Sequence, residues 1–239
     1  MLDDRDVVPA LSLRRPGTVV LVATLIAAVL ATVLGVRAAR GSEIAPCERH
    51  AADAAARSQV VTGSGAPGAA VTVIGDSWSV GLGLDDLGAS WPRELPGRVR
   101  VAGFSGSGFS RHASHCGNRA FATRAHAASG AELVIVQGGL NDVDQPAADI
   151  RAGFQSLMSS LEDHSVVVVG PASAPSRAVF VQHADTTLAN LCREYGVAYI
   201  DTSDWDLTYL PDRLHLTPAG HTAFGERVAD ELAARGLLG

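Results

Sequence analysis

Five short apolar runs constrain the fold of this chain more than any other feature. AVTVI (70–74), RVRVA (98–102), ELVIVQ (132–137), SVVVV (165–169) and VAYID (197–201) read as strands. Several are apolar at consecutive positions, as expected of strands covered on both faces rather than one. Helical periodicity separates them. Over 146–162, Ile150, Phe154, Leu157, Met158 and Leu161 recur at i, i+4, i+7, i+8 and i+11, and Pro146 suits a first helical turn. TPAGH (217–221) opens a last helix, with Thr217 as N-cap and Pro218 as its first residue. The alternation predicts a doubly wound α/β domain over 70–239, in which sites form beyond the carboxyl ends of the strands.

The N-terminal part has a different character. TVVLVATLIAAVLATVLGV (18–36) carries no charge and is bracketed by Arg14, Arg15, Arg37 and Arg40. At about 1.5 Å per residue it nearly crosses a hydrocarbon core of about 30 Å. It reads as a signal anchor or a long signal peptide behind a short tail (1–17). Its length favours the anchor, since a secretory apolar region usually spans about 7–15 residues. Either reading puts the large C-terminal part outside the cytoplasm, at the cell membrane or secreted. An Ala-rich polar stretch and GSGAPGA follow, so 37–69 is expected to be a stalk and linker.

Of the three cysteines, Cys192 shares a helical stripe with Leu188, Leu191 and Tyr195 and is expected to be a buried small hydrophobe. That leaves Cys47 and Cys116 as candidates for a disulfide in an oxidising compartment. All 19 basic residues are Arg, yet the net charge is -6 and no basic patch stands out. This argues against nucleic acid as the main partner.

Four loops fall at predicted strand ends: GDSWS (75–79), GFSGSGFS (103–110), GGLND (138–142) and DRLHLTPAGH (212–221). Together they offer a serine, a glycine-rich backbone, an amide and an Asp/His pair, the parts needed for acyl transfer through a covalent serine intermediate. A serine hydroxyl needs a base, and His215 is the candidate. Asp212, three residues earlier, could accept from its Nδ1–H and hold its tautomer. An oxyanion needs donors already aimed at it, for which the N–H groups of Ser77 and Gly106 and the amide of Asn141 are candidates.

GDSWS, the glycine in GFSGSG, GLND and DRLH resemble, in order, the four sequence blocks of the SGNH (GDSL) hydrolases. The resemblance covers roughly 70–239. It implies a flavodoxin-like three-layer α/β/α sandwich with a five-stranded parallel sheet, preceded here by the transmembrane or signal helix, and no cofactor or metal. It also implies Ser77 as nucleophile and first oxyanion donor, Gly106 and Asn141 as the other donors, His215 as base and Asp212 as its orienting acid. The implied activity is that of a serine esterase acting on acyl esters, short-chain or acetyl, of an envelope carbohydrate or lipid. An O-acyltransferase with the same triad and a non-catalytic envelope-binding module are the alternatives. The sequence departs from the family in having Trp78 for leucine, with no role assigned to it. Val101 and Ala102 stand where an asparagine usually precedes the second block, which leaves Gly103, Gly106 and Gly108 as competing donors. The serine elbow of α/β-hydrolases is absent because position 79 is Ser.

Other polar residues read more plainly. Asp76 and Asp142 are expected to brace their loops by accepting local N–H groups, and His221, three residues before Phe224, to be a packed histidine. RHASHC (111–116) offers His112, His115 and Cys116 but no fourth zinc ligand, so it reads as a helix start near the site. Trp91 and Trp205 are both expected in the core or at the rim rather than as sugar platforms; of the two, Trp205, just before the catalytic loop, is the better platform candidate.

Overall fold

The computed structural model describes residues 16–63 and 68–238, with side chains described except at 16–23 and 33–44. The chain divides into two units, Met1–Pro46 and Cys47–Gly239. Helix α1 (Pro16–Ser58) begins in the first, where Leu25, Ile26, Val29 and Leu30 are exposed. Among the described residues no helix is long and apolar enough to cross a membrane. Parts of the 18–36 run, at 18–23 and 33–36, lie outside the residues whose side chains are described.

In the second unit all five expected strands form: β1 (Ala70–Gly75), β2 (Arg98–Gly103), β3 (Leu133–Gln137), β4 (Ser165–Val169) and β5 (Ala198–Ile200). They make one parallel sheet in the order β2-β1-β3-β4-β5. The order reverses between β1 and β3, the place where doubly wound sheets open a crevice. The one-turn helix α2 (Ser77–Val80) follows β1, and α3 (Ala147–Ser160), α4 (Ala178–Tyr195) and α5 (Pro218–Ala234) complete the layers.

Alternate residues of each strand serve two cores. Ile74, Val134, Val136 and Val168 meet Ile150, Phe154 and Leu157 of α3 and Leu188, Leu191 and Cys192 of α4. Val73, Val101, Ile135 and Val169 meet Trp78, Trp91, and Phe224, Val228 and Leu232 of α5. Cys192 is buried and free as expected, while Tyr195 lies at the exposed edge of its stripe. Pro146 caps α3 rather than entering it, and Thr217 caps α5 by accepting from the N–H of Gly220 at 3.0 Å.

The stalk reading of 37–69 is corrected from Cys47 onward. Arg57 is fully buried. It donates Nε to Ser90 Oγ at 3.1 Å and Nη1 to the Val60 carbonyl at 3.1 Å. Thr62 pairs antiparallel with Val99 of β2, and Cys47 is disulfide-bonded to Cys116. An isolated arginine in an Ala-rich helix reads as solvated, and only its carbonyl and hydroxyl acceptors make burial tolerable. Of the linker, 64–67 lie outside the described residues.

Phe224 is the hub of the α5 side. Its ring meets Trp78, Trp91 and Trp205 edge-on or tilted at 5.3, 5.4 and 5.4 Å. Phe224→Ala should therefore cost about 3–5 kcal/mol in urea unfolding. His221 is packed as expected: it is buried, and its Nδ1 accepts the Trp91 N–H at 3.3 Å. Burial first, then the nearby His215, brings its pKa down to about 4. The stability contributed by the neutral ring is thus intact above about pH 6.5 and lost as pH falls through about 4. In His221→Asn, whose Oδ1 can take the same N–H, the fall in unfolding free energy from pH 7 to pH 4 should be smaller than in the wild type by about 3 kcal/mol.

Candidate active site

The Ser77 turn follows directly from β1. A Cβ at Gly75 would lie 2.1 Å from Ser79 Oγ, so only glycine lets the chain fold back this closely. Asp76 caps α2 by accepting the Trp78 N–H at 2.9 Å, which places Ser77 at the first position of the helix. Beneath it Ser79 donates to Gln137 Oε1 at 2.7 Å and accepts the Trp91 indole N–H at 3.2 Å.

The 212–215 loop arrives from the far end of the chain and is closed on itself. Asp212 Oδ1 accepts the N–H groups of Leu214 and His215 at 2.9 and 3.0 Å, and Oδ2 meets His215 Nδ1 at 2.6 Å. The turn needs Arg213 in the left-handed region, at φ 60°. The Tyr209–Leu216 bridge and a bond from the Ser176 N–H to the Arg213 carbonyl hold its flanks. His215 Nε2 then stands 3.1 Å from Ser77 Oγ. Burial pushes the Asp212 carboxyl upward, but hydrogen bonds from the His215 ring and the two N–H groups outweigh it, leaving it below its ordinary value. Asp212 is therefore an anion at neutral pH, as orienting an imidazole requires.

Trp78, to which the sequence assigned no role, joins these two loops. Its indole N–H donates to the Leu214 carbonyl at 3.1 Å, while its ring packs on Phe224 and Tyr209.

The 103–110 and 138–142 loops are fastened to each other. Asn141 donates one amide N–H to the Ser107 carbonyl at 2.9 Å, which leaves its second for another acceptor. Asp142 is fully buried and accepts the N–H groups of Phe109 and Ser110 at 2.9 and 2.8 Å. These partners lie more than thirty residues back in the chain, so Asp142 braces two loops and not only its own. Among the competing glycines, Gly103 packs on Val80 and Gly108 on the Asp142 carboxylate. Gly106 stands open, with φ +83°, a conformation that suits glycine.

Arg124 was not singled out by sequence, although an arginine within the small-residue run FATRAHAA is an unusual placement. Its guanidinium donates to the carbonyls of Ala102 and Arg119 at 2.9 and 3.0 Å and to Ser107 Oγ at 2.9 Å. It thereby braces the end of β2 and the Gly106 loop, and burial lowers its pKa to about 10. Burial raises the carboxyls of Asp76 and Asp142 to about 7, against the pull of the N–H groups they accept.

Trp205 is buried as expected, with Arg227 over its ring at 4.6 Å, which leaves no open face for the alternative role of sugar platform. One expectation is corrected. RHASHC forms turns rather than a helix start, and its Cys116 sulfur is taken by the disulfide; the next helical turns are the 3-10 segment Phe121–Ala128. Among the described residues no three His, Cys, Asp or Glu side chains are grouped to hold a metal ion.

Comparison with solved structures finds the same architecture in several esterases. A carbohydrate acetylesterase family member from Sinorhizobium meliloti aligns at 18% identity, over 70% of this chain and 98% of that one, with a TM-score of 0.54. A family two carbohydrate esterase from Clostridium thermocellum in complex with cellohexaose aligns at 16%, over 71% and 65%, with a TM-score of 0.56. The native M. smegmatis aryl esterase aligns at 16%, over 70% and 99%, with a TM-score of 0.52. No curated protein sequence matches the chain. Residues 73–223, from β1 into α5, match the GDSL-like lipase/acylhydrolase family, and the chain belongs to that family of carboxylic ester hydrolases.

Proposed function

We propose that the protein is an extracytoplasmic serine esterase that removes short acyl groups, acetyl above all, from carbohydrate esters through Ser77, His215 and Asp212. The observation that carries this reading is the unbroken line from Asp212 Oδ2 through His215 to Ser77 Oγ, at 2.6 and 3.1 Å. His215 Nε2 takes the Ser77 proton as Oγ attacks the ester carbonyl, and Asp212 stabilises the imidazolium. The tetrahedral oxyanion is received by the N–H groups of Ser77 and Gly106 and the free amide N–H of Asn141. His215 then protonates the leaving alcohol oxygen, and the acyl group stays on Ser77. A water gives its proton to the same nitrogen as it attacks, which releases the acid and restores the serine.

The carbohydrate substrate is supported by the acetylesterase and the cellohexaose-bound esterase among the structural neighbours. The location outside the cytoplasm is supported by the Cys47–Cys116 disulfide, a bond that persists in oxidising compartments. Anchoring at the membrane rests on the uncharged run 18–36.

The full-length protein should hydrolyse p-nitrophenyl acetate and an acetylated saccharide. Ser77→Ala should lower kcat at least about 10³-fold and Asn141→Ala about 10²–10³-fold. Equal rates for wild type and Ser77→Ala would remove the nucleophile assignment, and turnover only when a sugar acceptor is added would favour an acyltransferase. Trp78→Phe should keep the ring packing but release the Leu214 carbonyl. Steady-state kinetics should then show kcat reduced by about fivefold to tenfold with KM nearly unchanged, since the substrate is bound but the His215 loop is less well placed.

A further inference from the structure

The end of α1, residues 47–58, lies before the 73–223 span shared with the family, yet packs against the loop that carries Gly106. Its inward stripe is Cys47, His50, Asp53, Ala54 and Arg57, at helical spacing. The stripe is held at both ends. Cys47 is bonded to Cys116, beyond Gly106 in the same loop, and Arg57 to Ser90 beneath the nucleophile turn. Between these two ties the His50 ring meets Phe104 edge-on at 6.3 Å, two residues before Gly106. Its Nδ1 is enclosed without a hydrogen-bond partner. Nothing in the mechanism above uses this ring.

We propose that His50 is a substrate-positioning residue that holds the alcohol half of the ester by a hydrogen bond from its second ring nitrogen to a substrate hydroxyl. The proposal rests on the esterase reading above and extends it to the leaving group. Burial lowers the His50 pKa, and Arg49, His115 and His215 add to that against Asp53. The ring is thus neutral at neutral pH and suits an uncharged hydroxyl, as on a sugar, better than an anionic group. A site that pairs a substrate hydroxyl discriminates against esters that lack it.

The test is steady-state kinetics of the full-length protein on monoacetyl glucose and on p-nitrophenyl acetate, whose leaving group carries no further hydroxyl. His50→Ala should raise KM for monoacetyl glucose about tenfold with kcat changed less than about twofold. The loss in kcat/KM should be at least about fivefold larger on monoacetyl glucose than on p-nitrophenyl acetate, and His50→Gln, which keeps a donor and an acceptor, should recover most of it. If His50→Ala does not fold, His50→Phe read against His50→Gln must give the same split. Equal losses on the two esters, or a fallen kcat with unchanged KM, overturn the proposal alone. Absence of wild-type turnover on both esters overturns the esterase reading and the proposal with it.

Discussion

The indole of Trp78 and the carbonyl of Leu214 are joined across 136 residues of chain, and the rest of the site depends on that bond. Ser77 and His215 come from opposite ends of the catalytic domain and meet at hydrogen-bond distance, which the proposed proton transfer requires. Neither of their loops is a regular element long enough to fix a side chain by itself. Trp78 follows Ser77 directly, and its ring is clamped by Phe224 and Tyr209. Core packing is thereby converted into the position of the 212–215 loop. A residue to which the sequence assigned no role is the contact between the Ser77 turn and the His215 loop.

Around the candidate site lies a layer of buried polar groups that a stable core would otherwise avoid. An isolated buried charge is costly, but Asp142 accepts two backbone N–H groups and Arg124 is shared among carbonyls and a hydroxyl. Hydrogen bonds to charged groups are worth about 1.5–3 kcal/mol each, enough to offset part of that desolvation. The carboxyls of Asp76 and Asp142, raised to about 7, can also become neutral without leaving the physiological range. What the layer provides is geometric: it ties three strand-end loops into one floor whose backbone directions are set before substrate arrives.

Much of this was legible beforehand, for identifiable reasons. Strands covered on both faces must be apolar along their length, so the five runs were found within a residue or two of their observed ends. Ser77, Asp212, His215 and Asn141 could be picked out as candidates because each follows a strand or opens a helix, where side chains are free to project. Arg57 and Arg124 could not be read, because an arginine's burial depends on acceptors supplied by distant carbonyls and hydroxyls. Trp205 could be expected in the core or at the rim, but not that Phe224 and Arg227 on α5 are what cover it. Asp142 was recognised as an acceptor, yet its donors lie in another loop. What packs against Gly103 and Gly108, and the open surroundings of Gly106, likewise show only in the folded chain.

The sequence by itself determined the layer order of the catalytic domain, the turn after β1 and the residue types of the site, since these follow from local hydrophobic period, from glycine and cap chemistry, and from the reactivity of serine, histidine and aspartate. Only the tertiary structure decided which loops touch, that the end of α1 from Cys47 onward belongs to the catalytic unit, and what Trp78 and His50 meet. Those contacts join residues far apart in the chain, and no local pattern records the partner that satisfies a buried donor or covers an aromatic ring.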